Sequence, residues 1–512
     1  MTVRKLRIVS QVLFFLFFLY LFWMTSETAG RWVPVDLYLR ADPLLAVTAI
    51  IGARVIIPAM FVSLVIIAAT LILGRVFCGW VCPMGTTLDL VSRAGHSPNR
   101  FAVRKTQHFK YYMLIGFLTA SVLGFQLVYH LDPISLITRF FTLVLLPLLV
   151  QLSNFIFELL FNIKSLQMPL LEIQSSLIDS LLPLEPYFFQ SAFLVGLIFL
   201  TVLAFELYSR RTFCQAVCPL GALLGWLSKP QVLTRKVGED CIECGDCHSV
   251  CKTNAIPEDF LQTELRECIQ CFNCVDVCPV DVISINFGKN NQKHKTDYTR
   301  RKLVIAGAGG VAAASLTGIS FIQPVRNSRI VRPPGSAPEA EFVDRCVRCY
   351  QCLRACATSG NFLQPSLIES GWQGLLTPYG EASTGYCEYN CTLCTEVCPT
   401  DAIKELDLET KRKTIIGLAY FDKNRCLPYA EGTPCIVCEE HCPTPDKAIK
   451  FKEEEYIYPD GGTQVLKMPY IVEDLCIGCG ICEFKCPVEG LPGVILTNKT
   501  QRGHLTGGYG YG

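Results

Sequence analysis

The sequence predicts a multi-domain chain: an α-helical transmembrane bundle of four spans plus a fifth connecting span, and two cysteine-dense parts outside the bilayer. Three observations predict it. The 512 residues are 51% hydrophobic and only 18% charged, with a mean hydropathy of +0.35, a membrane-protein composition. The 28 cysteines fall into short repeated runs. Lysine and arginine are distributed unevenly between the apolar stretches. The net charge of +1 gives no reason to expect a nucleic-acid partner.

Five uncharged stretches approach the roughly 20 apolar residues that a bilayer crossing needs. They lie at residues 8–24, 55–74, 111–129, 186–205 and 303–325. A sixth, 140–157, carries Pro147 and is followed by Glu158, and 170–184 includes Glu172 and Asp179. The segment 140–184 is therefore expected to form interfacial or re-entrant helices. Basic residues set the orientation. Arg4, Lys5 and Arg7 precede the first stretch, and Arg75, Arg93, Arg100, Arg104, Lys105 and Lys110 follow the second. Arg210, Arg211, Lys229, Arg235 and Lys236 follow the fourth, whereas 130–185 holds only Arg139 and Lys164. The expected orientation puts the N-terminus and residues 206–302 in the cytoplasm. Residues 327–512 are then outside it, in a bacterial periplasm.

The fifth stretch contains Gly307-Ala-Gly309-Gly-Val-Ala312, which imitates a dinucleotide fingerprint. A nucleotide fold needs an amphipathic helix and a second strand next, but the apolar run simply continues. Arg300-Arg301 ahead of it reads as a twin-arginine export signal, or as the charged flank of a plain anchor.

Between the fourth and fifth stretches stand CIECGDCHSVC and CIQCFNCVDVCP. Their cysteines are Cys241, Cys244, Cys247, Cys251 and Cys268, Cys271, Cys274, Cys278. Two C-x2-C-x2-C-x3-C runs in tandem are the spacing of a bacterial-type 2[4Fe–4S] ferredoxin. There, three thiolates of each run hold one cluster and the fourth reaches the other. Zinc sites favour paired C-x2-C units instead. Cys244-Gly-Asp-Cys247-His248 matches a haem-attachment pattern, but both cysteines already belong to these runs.

Four more runs follow the fifth stretch. They are Cys346, Cys349, Cys352, Cys356; then Cys387, Cys391, Cys394, Cys398; then Cys426, Cys435, Cys438, Cys442; and Cys476, Cys479, Cys482, Cys486. The second and third depart from ferredoxin spacing in their first gap. Together they predict a periplasmic 4[4Fe–4S] ferredoxin-like α+β domain, and six clusters in the chain. The domain boundaries are 1–230 membrane, 231–290 cytoplasmic ferredoxin, 291–326 twin arginine and fifth span, and 327–512 periplasmic.

Four cysteines remain: Cys78 and Cys82 in GRVFCGWVCPMG, and Cys214 and Cys218 in RRTFCQAVCPLG. The i, i+4 spacing would place each pair on one helix face, with Pro and Gly ending the helix. Asp42-Pro43 and Asp132-Pro133 ahead of the second and fourth spans complete an internal repeat. A pseudo-twofold arrangement would gather the four thiols. They can then ligate one further metal centre, work as redox dithiols, or pack as small hydrophobes.

On these motifs residues 1–290 resemble the NapH family of four-span membrane ferredoxins, which carries two C-x3-C-P motifs and a two-cluster tail. Residues 300–512 resemble the NapG/MauM type, where twin arginine is followed by RPPG (here Arg332 to Gly335) and a first cluster run. The resemblance implies a fusion of the two. It also implies quinol dehydrogenase chemistry at the membrane, with quinone and quinol as substrate. Electrons would reach a periplasmic reductase, such as a nitrate reductase system, or a c-type cytochrome. It implies too that runs one and four, and runs two and three, exchange fourth cysteines. Other readings are a copper or iron–sulfur maturation reductase, and electron entry from a cytoplasmic ferredoxin. His130 lies near a span, a bis-histidine haem is not expected, and no P-loop occurs.

Overall fold

The computed structural model describes residues 3–26, 32–94, 107–162, 168, 188–288, 300–318, 330–367 and 369–498. Two described helices are apolar and long enough to cross a membrane by length and composition, α1 (Val3–Met24) and α6 (Pro133–Phe161). Five others matter here: α2 (Pro43–Ala53), α3 (Pro58–Leu73), α4 (Pro83–Ala94), α5 (Phe109–Val122) and α7 (Ala192–Tyr208). The stretches 55–74 and 111–129 thus form helices shorter than expected. Gly74 and Gly124, with φ of 82° and 83°, end or follow them in a conformation that residues with a Cβ resist.

The first half of the 140–184 segment is helical, and the helix continues through Pro147. Pro147 does not break the chain there: it stands in the first turn of Leu146–Phe161, directly after a π-helical turn, Phe141–Leu145. One helix of 29 residues results. Residues 163–184, apart from Met168, lie outside the described residues.

The repeated Asp-Pro pairs begin helices. Asp42 accepts from the amides of Leu44 and Leu45, and Asp132 from that of Ser135, with the proline in the first turn. After α8 (Pro219–Leu227), the helix α9 (Arg300–Gly318) absorbs the Gly307–Ala312 run whole. Its Gly310 lies against Gly116 of α5, where an added Cβ would stand 2.4 Å from a backbone oxygen. The remainder of the 303–325 stretch lies outside the described residues.

Four two-stranded antiparallel sheets organise the cysteine-rich parts. Strand β1 (Leu233–Val237) pairs with β2 (Ile283–Phe287) around the first two runs. Further on, β3 (Leu363–Pro365) pairs with β4 (Pro378–Gly380), β5 (Leu418–Phe421) with β8 (Val494–Thr497), and β6 (Ile449–Ile457) with β7 (Thr463–Ile471). The β5–β8 pair joins the two ends of the segment holding runs three and four.

Helix α1 connects two ends of the molecule. Near its start, Ser10 donates to Trp80 O at 3.3 Å, and Trp80 Nε1 donates to Gln270 O at 2.9 Å, in the second cysteine run. At its finish, Thr25 donates to Gln351 Oε1 at 2.8 Å, beside Cys352 of the first C-terminal run, and the Arg354 guanidinium covers the Phe22 ring. Its 22 residues amount to about 33 Å at 1.5 Å per residue. One hydrophobic core runs between these ends, from Cys78, Cys82, Cys214, Cys218 and Ile269 to Val347 and Cys349.

Candidate functional site

Each cysteine run begins as a loop and carries its third cysteine on a short helix, and the loop backbone is what shapes the site. In four runs the residues flanking the second cysteine are left-handed: Glu243 and Gly245, Gln270 and Phe272, Arg348 and Tyr350, Gly478 and Gly480. Alternating right- and left-handed residues turn successive N–H groups inward, an arrangement known as a nest that cradles anions, iron–sulfur groups among them. Five of these eight positions carry a side chain that costs of order 1–3 kcal/mol to hold there. The two runs with altered spacing do without it: Thr392 and Ile436 have φ of −120° and −129°.

The runs exchange their last cysteines. A cavity of about 390 Å³ is lined by Cys268, Cys271 and Cys274 together with Cys251 of the preceding run. Cys247 interacts with Cys241 and Cys244, and Cys278 packs against the same small cluster as Cys247. In the C-terminal part, Cys346, Cys349 and Cys352 share a cavity of about 350 Å³ with Cys398. Cys356 in turn meets Cys387, Cys391 and Cys394. Cys476, Cys479 and Cys482 share about 370 Å³ with Cys442, and Cys486 interacts with Cys426, near Cys435 and Cys438. This corrects the pairing implied by the resemblance. Cys356 and Cys486 do not exchange, nor do Cys398 and Cys442. Consecutive runs pair instead. The two C-terminal pairs meet where the Cys387 amide donates to Cys479 O at 2.8 Å.

Burial pushes the thiols up, Cys274 and Cys356 to about 12 and Cys398 to about 11. Such thiols become thiolates only against a bound cation. Four sulfur donors around a cradle of inward amides suit a [4Fe–4S] group, and these residues fit it. Lys411, itself buried, reaches Cys387 and donates to the carbonyls of Glu388 and Tyr389.

The C-x3-C-P cysteines are all buried, and Cys218 interacts with Cys214, Cys78 and Cys82. Their local geometry differs from the expected helix face. Phe77–Val81 and Phe213–Val217 are π-helical turns, closed by Cys82 N to Phe77 O at 2.9 Å and Cys218 N to Phe213 O at 2.8 Å. The second cysteine of each pair is extended, and the proline after it starts a helix rather than ending one. Gly85 and Gly221 follow inside those helices, packed within 3.4 Å of Arg211 and Arg75 respectively were a Cβ present.

Those two arginines escaped the sequence reading. Arg75 and Arg211 each stand three residues before the first cysteine of a pair, and the repeated Arg-x-Phe-Cys was the available signal. Both are fully buried. Arg211 forks onto Asp89 at 2.9 and 3.0 Å and donates to Cys78 O at 2.8 Å, while Lys252 and Arg7 reach the same carboxylate. Arg75 binds Glu267 at 3.1 Å and Arg266 O at 2.9 Å; Lys110 also reaches Glu267, and Tyr111 Oη donates to it at 2.8 Å. The two clamps tie the thiol turns to the 231–290 segment.

Comparison with known proteins accords with these sites. A family described as "4Fe-4S binding domain" matches residues 55–105 and again 191–238, the two stretches that carry the C-x3-C-P turns. A second family of that description matches 469–491, around run four. The chain is 33% identical over 212 residues to the ferredoxin-type protein NapG of Escherichia coli, covering 41% of this chain and 89% of the relative. It is 32% identical over 197 residues to the methylamine utilization ferredoxin-type protein MauM of Methylorubrum extorquens, 37% of this chain and 84% of that one. The ferredoxin-type protein NapF of Escherichia coli is 26% identical over 178 residues, 35% and 93% of the two chains. No solved structure matches. With consecutive runs of cysteines, anion-cradling loops and this likeness over most of the NapG and MauM chains, the protein belongs to the NapG/MauM family of iron–sulfur ferredoxin-type proteins through its NapG-like region.

Proposed function

We propose that this chain is a membrane-anchored polyferredoxin with six [4Fe–4S] clusters that passes electrons between the quinone pool and a periplasmic reductase or c-type cytochrome. In this reading residues 1–290 are a NapH-type membrane ferredoxin, with 206–302 cytoplasmic, and 327–512 are periplasmic. The observation that carries it is α1. Next to its last residue, Thr25 donates to Gln351 of the C-terminal cysteine-rich part; toward its start Ser10 meets Trp80, which in turn donates to Gln270 of the 231–290 segment, and the helix length of about 33 Å matches a hydrocarbon core of about 30 Å. Bound clusters would supply one-electron redox chemistry.

The chain's own residues do the rest. Twenty-four cysteines in three consecutive pairs of runs, four on each side of a pairing, would place their sulfurs, and in four of the six runs left-handed loop residues would aim amides at them. Cys78, Cys82, Cys214 and Cys218 form a further redox centre in this proposal. Burial holds Cys214 up to about 12, with the nearby Arg211 and Arg75 acting in the opposite direction. The test is quinol-driven reduction of the anaerobically purified chain, followed by EPR. Cys82→Ser and Cys218→Ser should each abolish it, and the double variant should be little worse, because groups that act as a unit are non-additive. Dithionite should still reduce the six sites. Quinol-driven reduction at the wild-type rate in the quadruple serine variant would overturn the role of these thiols.

A further inference from the structure

Arg235 lies on β1 opposite Ile285, at a position where a small two-stranded sheet ordinarily turns an apolar side chain inward. It is 3% exposed. Its Nη1 donates to Phe260 O at 3.0 Å, to Gln262 O at 3.5 Å and to Thr263 Oγ1 at 3.3 Å. Its Nη2 donates to Cys247 Sγ at 3.3 Å, and Nε has no acceptor. The same guanidinium lines the cavity of Cys251, Cys268, Cys271 and Cys274, and it acts electrostatically on Cys274. It therefore stands between the two cysteine sites of the 231–290 segment and touches a ligand of one while facing the other.

Its counter-charge is the question. Arg75 and Arg211, equally buried, each hold a carboxylate. Among the described residues no carboxylate lies within ion-pair distance of Arg235. A buried guanidinium is costly unless an anion pairs with it, and a guanidinium keeps its proton throughout the physiological range. The anions within reach are the thiolates on either side. Carbonyl oxygens from 260–262 fix the fork so that the positive charge cannot withdraw to solvent.

We propose that Arg235 is a positioning residue that neutralises the thiolates of both sites in this segment and raises their reduction potentials. This rests on the reading of these cysteines as iron–sulfur ligands. Adding an electron to such a site makes it more negative, so a fixed buried cation and a hydrogen bond to sulfur both favour the reduced form. Lysine at this position keeps the charge and loses the fork; glutamine keeps polarity and loses the charge.

The experiment is potentiometric titration of the full chain followed by EPR, with iron content measured alongside. Cys244→Ser and Cys271→Ser identify the two signals by removing them in turn. Arg235→Gln should lower both midpoint potentials, changing the reduced-to-oxidised ratio at fixed ambient potential by about tenfold, or about 59 mV for a one-electron couple. Arg235→Lys should retain most of the wild-type potential. Loss of iron in Arg235→Gln but not in Arg235→Lys would equally support a charge requirement. Iron-replete Arg235→Gln with wild-type potentials would overturn the proposal, as would equal loss of iron in both variants, which signifies shape alone. If neither cysteine variant changes iron or spectrum, the ligand reading fails, and the proposal with it.

Discussion

Asp89 accepts from Arg211 in a fork and is approached by Lys252 and Arg7, all within one buried cluster. Removing its charge strands cations inside the protein. Asp89→Asn should therefore cost about 3–5 kcal/mol, the range for breaking a buried pair from one side. Arg425→Ala, which cuts the half-exposed pair with Asp422, should stay within about 1 kcal/mol. Chemical denaturation of both variants checks the contrast. Gly478 is a second sensitive point. Its φ is 76°, and a Cβ there would lie 2.4 Å from the backbone of Gly417. Gly478→Ala should lose the run-four site, seen as a fall of about four iron atoms per chain. At this scale the grouping of the cysteines was legible, since spacing is written directly in the sequence. Arg75, Arg211 and Arg235 were read only as topology signals, because burial of a basic residue depends on partners far along the chain.

Among elements, the C-x3-C-P turns show what spacing alone conceals. An i, i+4 spacing of cysteines fits an α-helix, yet a π-helical turn also fits, and proline at the next position decides in favour of a new helix start. In the same way Pro147 read as a breaker, whereas α6 continues through it, directly after a π-helical turn. The pairing of runs depended on contacts between loops, which no single run encodes. It is testable by counting. Cys352→Ser combined with Cys398→Ser should remove one site, about four iron atoms, because both line one cavity. Cys352→Ser combined with Cys356→Ser should remove two, about eight, because these neighbours serve different sites. Equal losses in the two double variants would contradict the pairing of consecutive runs.

For the whole molecule, the sequence conveyed apolar stretches and their charge bias, and the helices appear in those places. Their lengths were less legible, because glycines such as Gly74 and Gly124 cut them short. The proposed sidedness can be checked with reporters fused after Pro230 and after residue 498. Cytoplasmic and periplasmic signals respectively are expected, and the same signal from both would contradict the reading of α1. The central claim is that six cysteine sites hold six clusters. Iron and acid-labile sulfide measured on anaerobically purified chain test it most directly. Four iron atoms per cluster give an expected value of about 24 per chain, with equal sulfide. A value near eight, or zinc in place of iron, would contradict it.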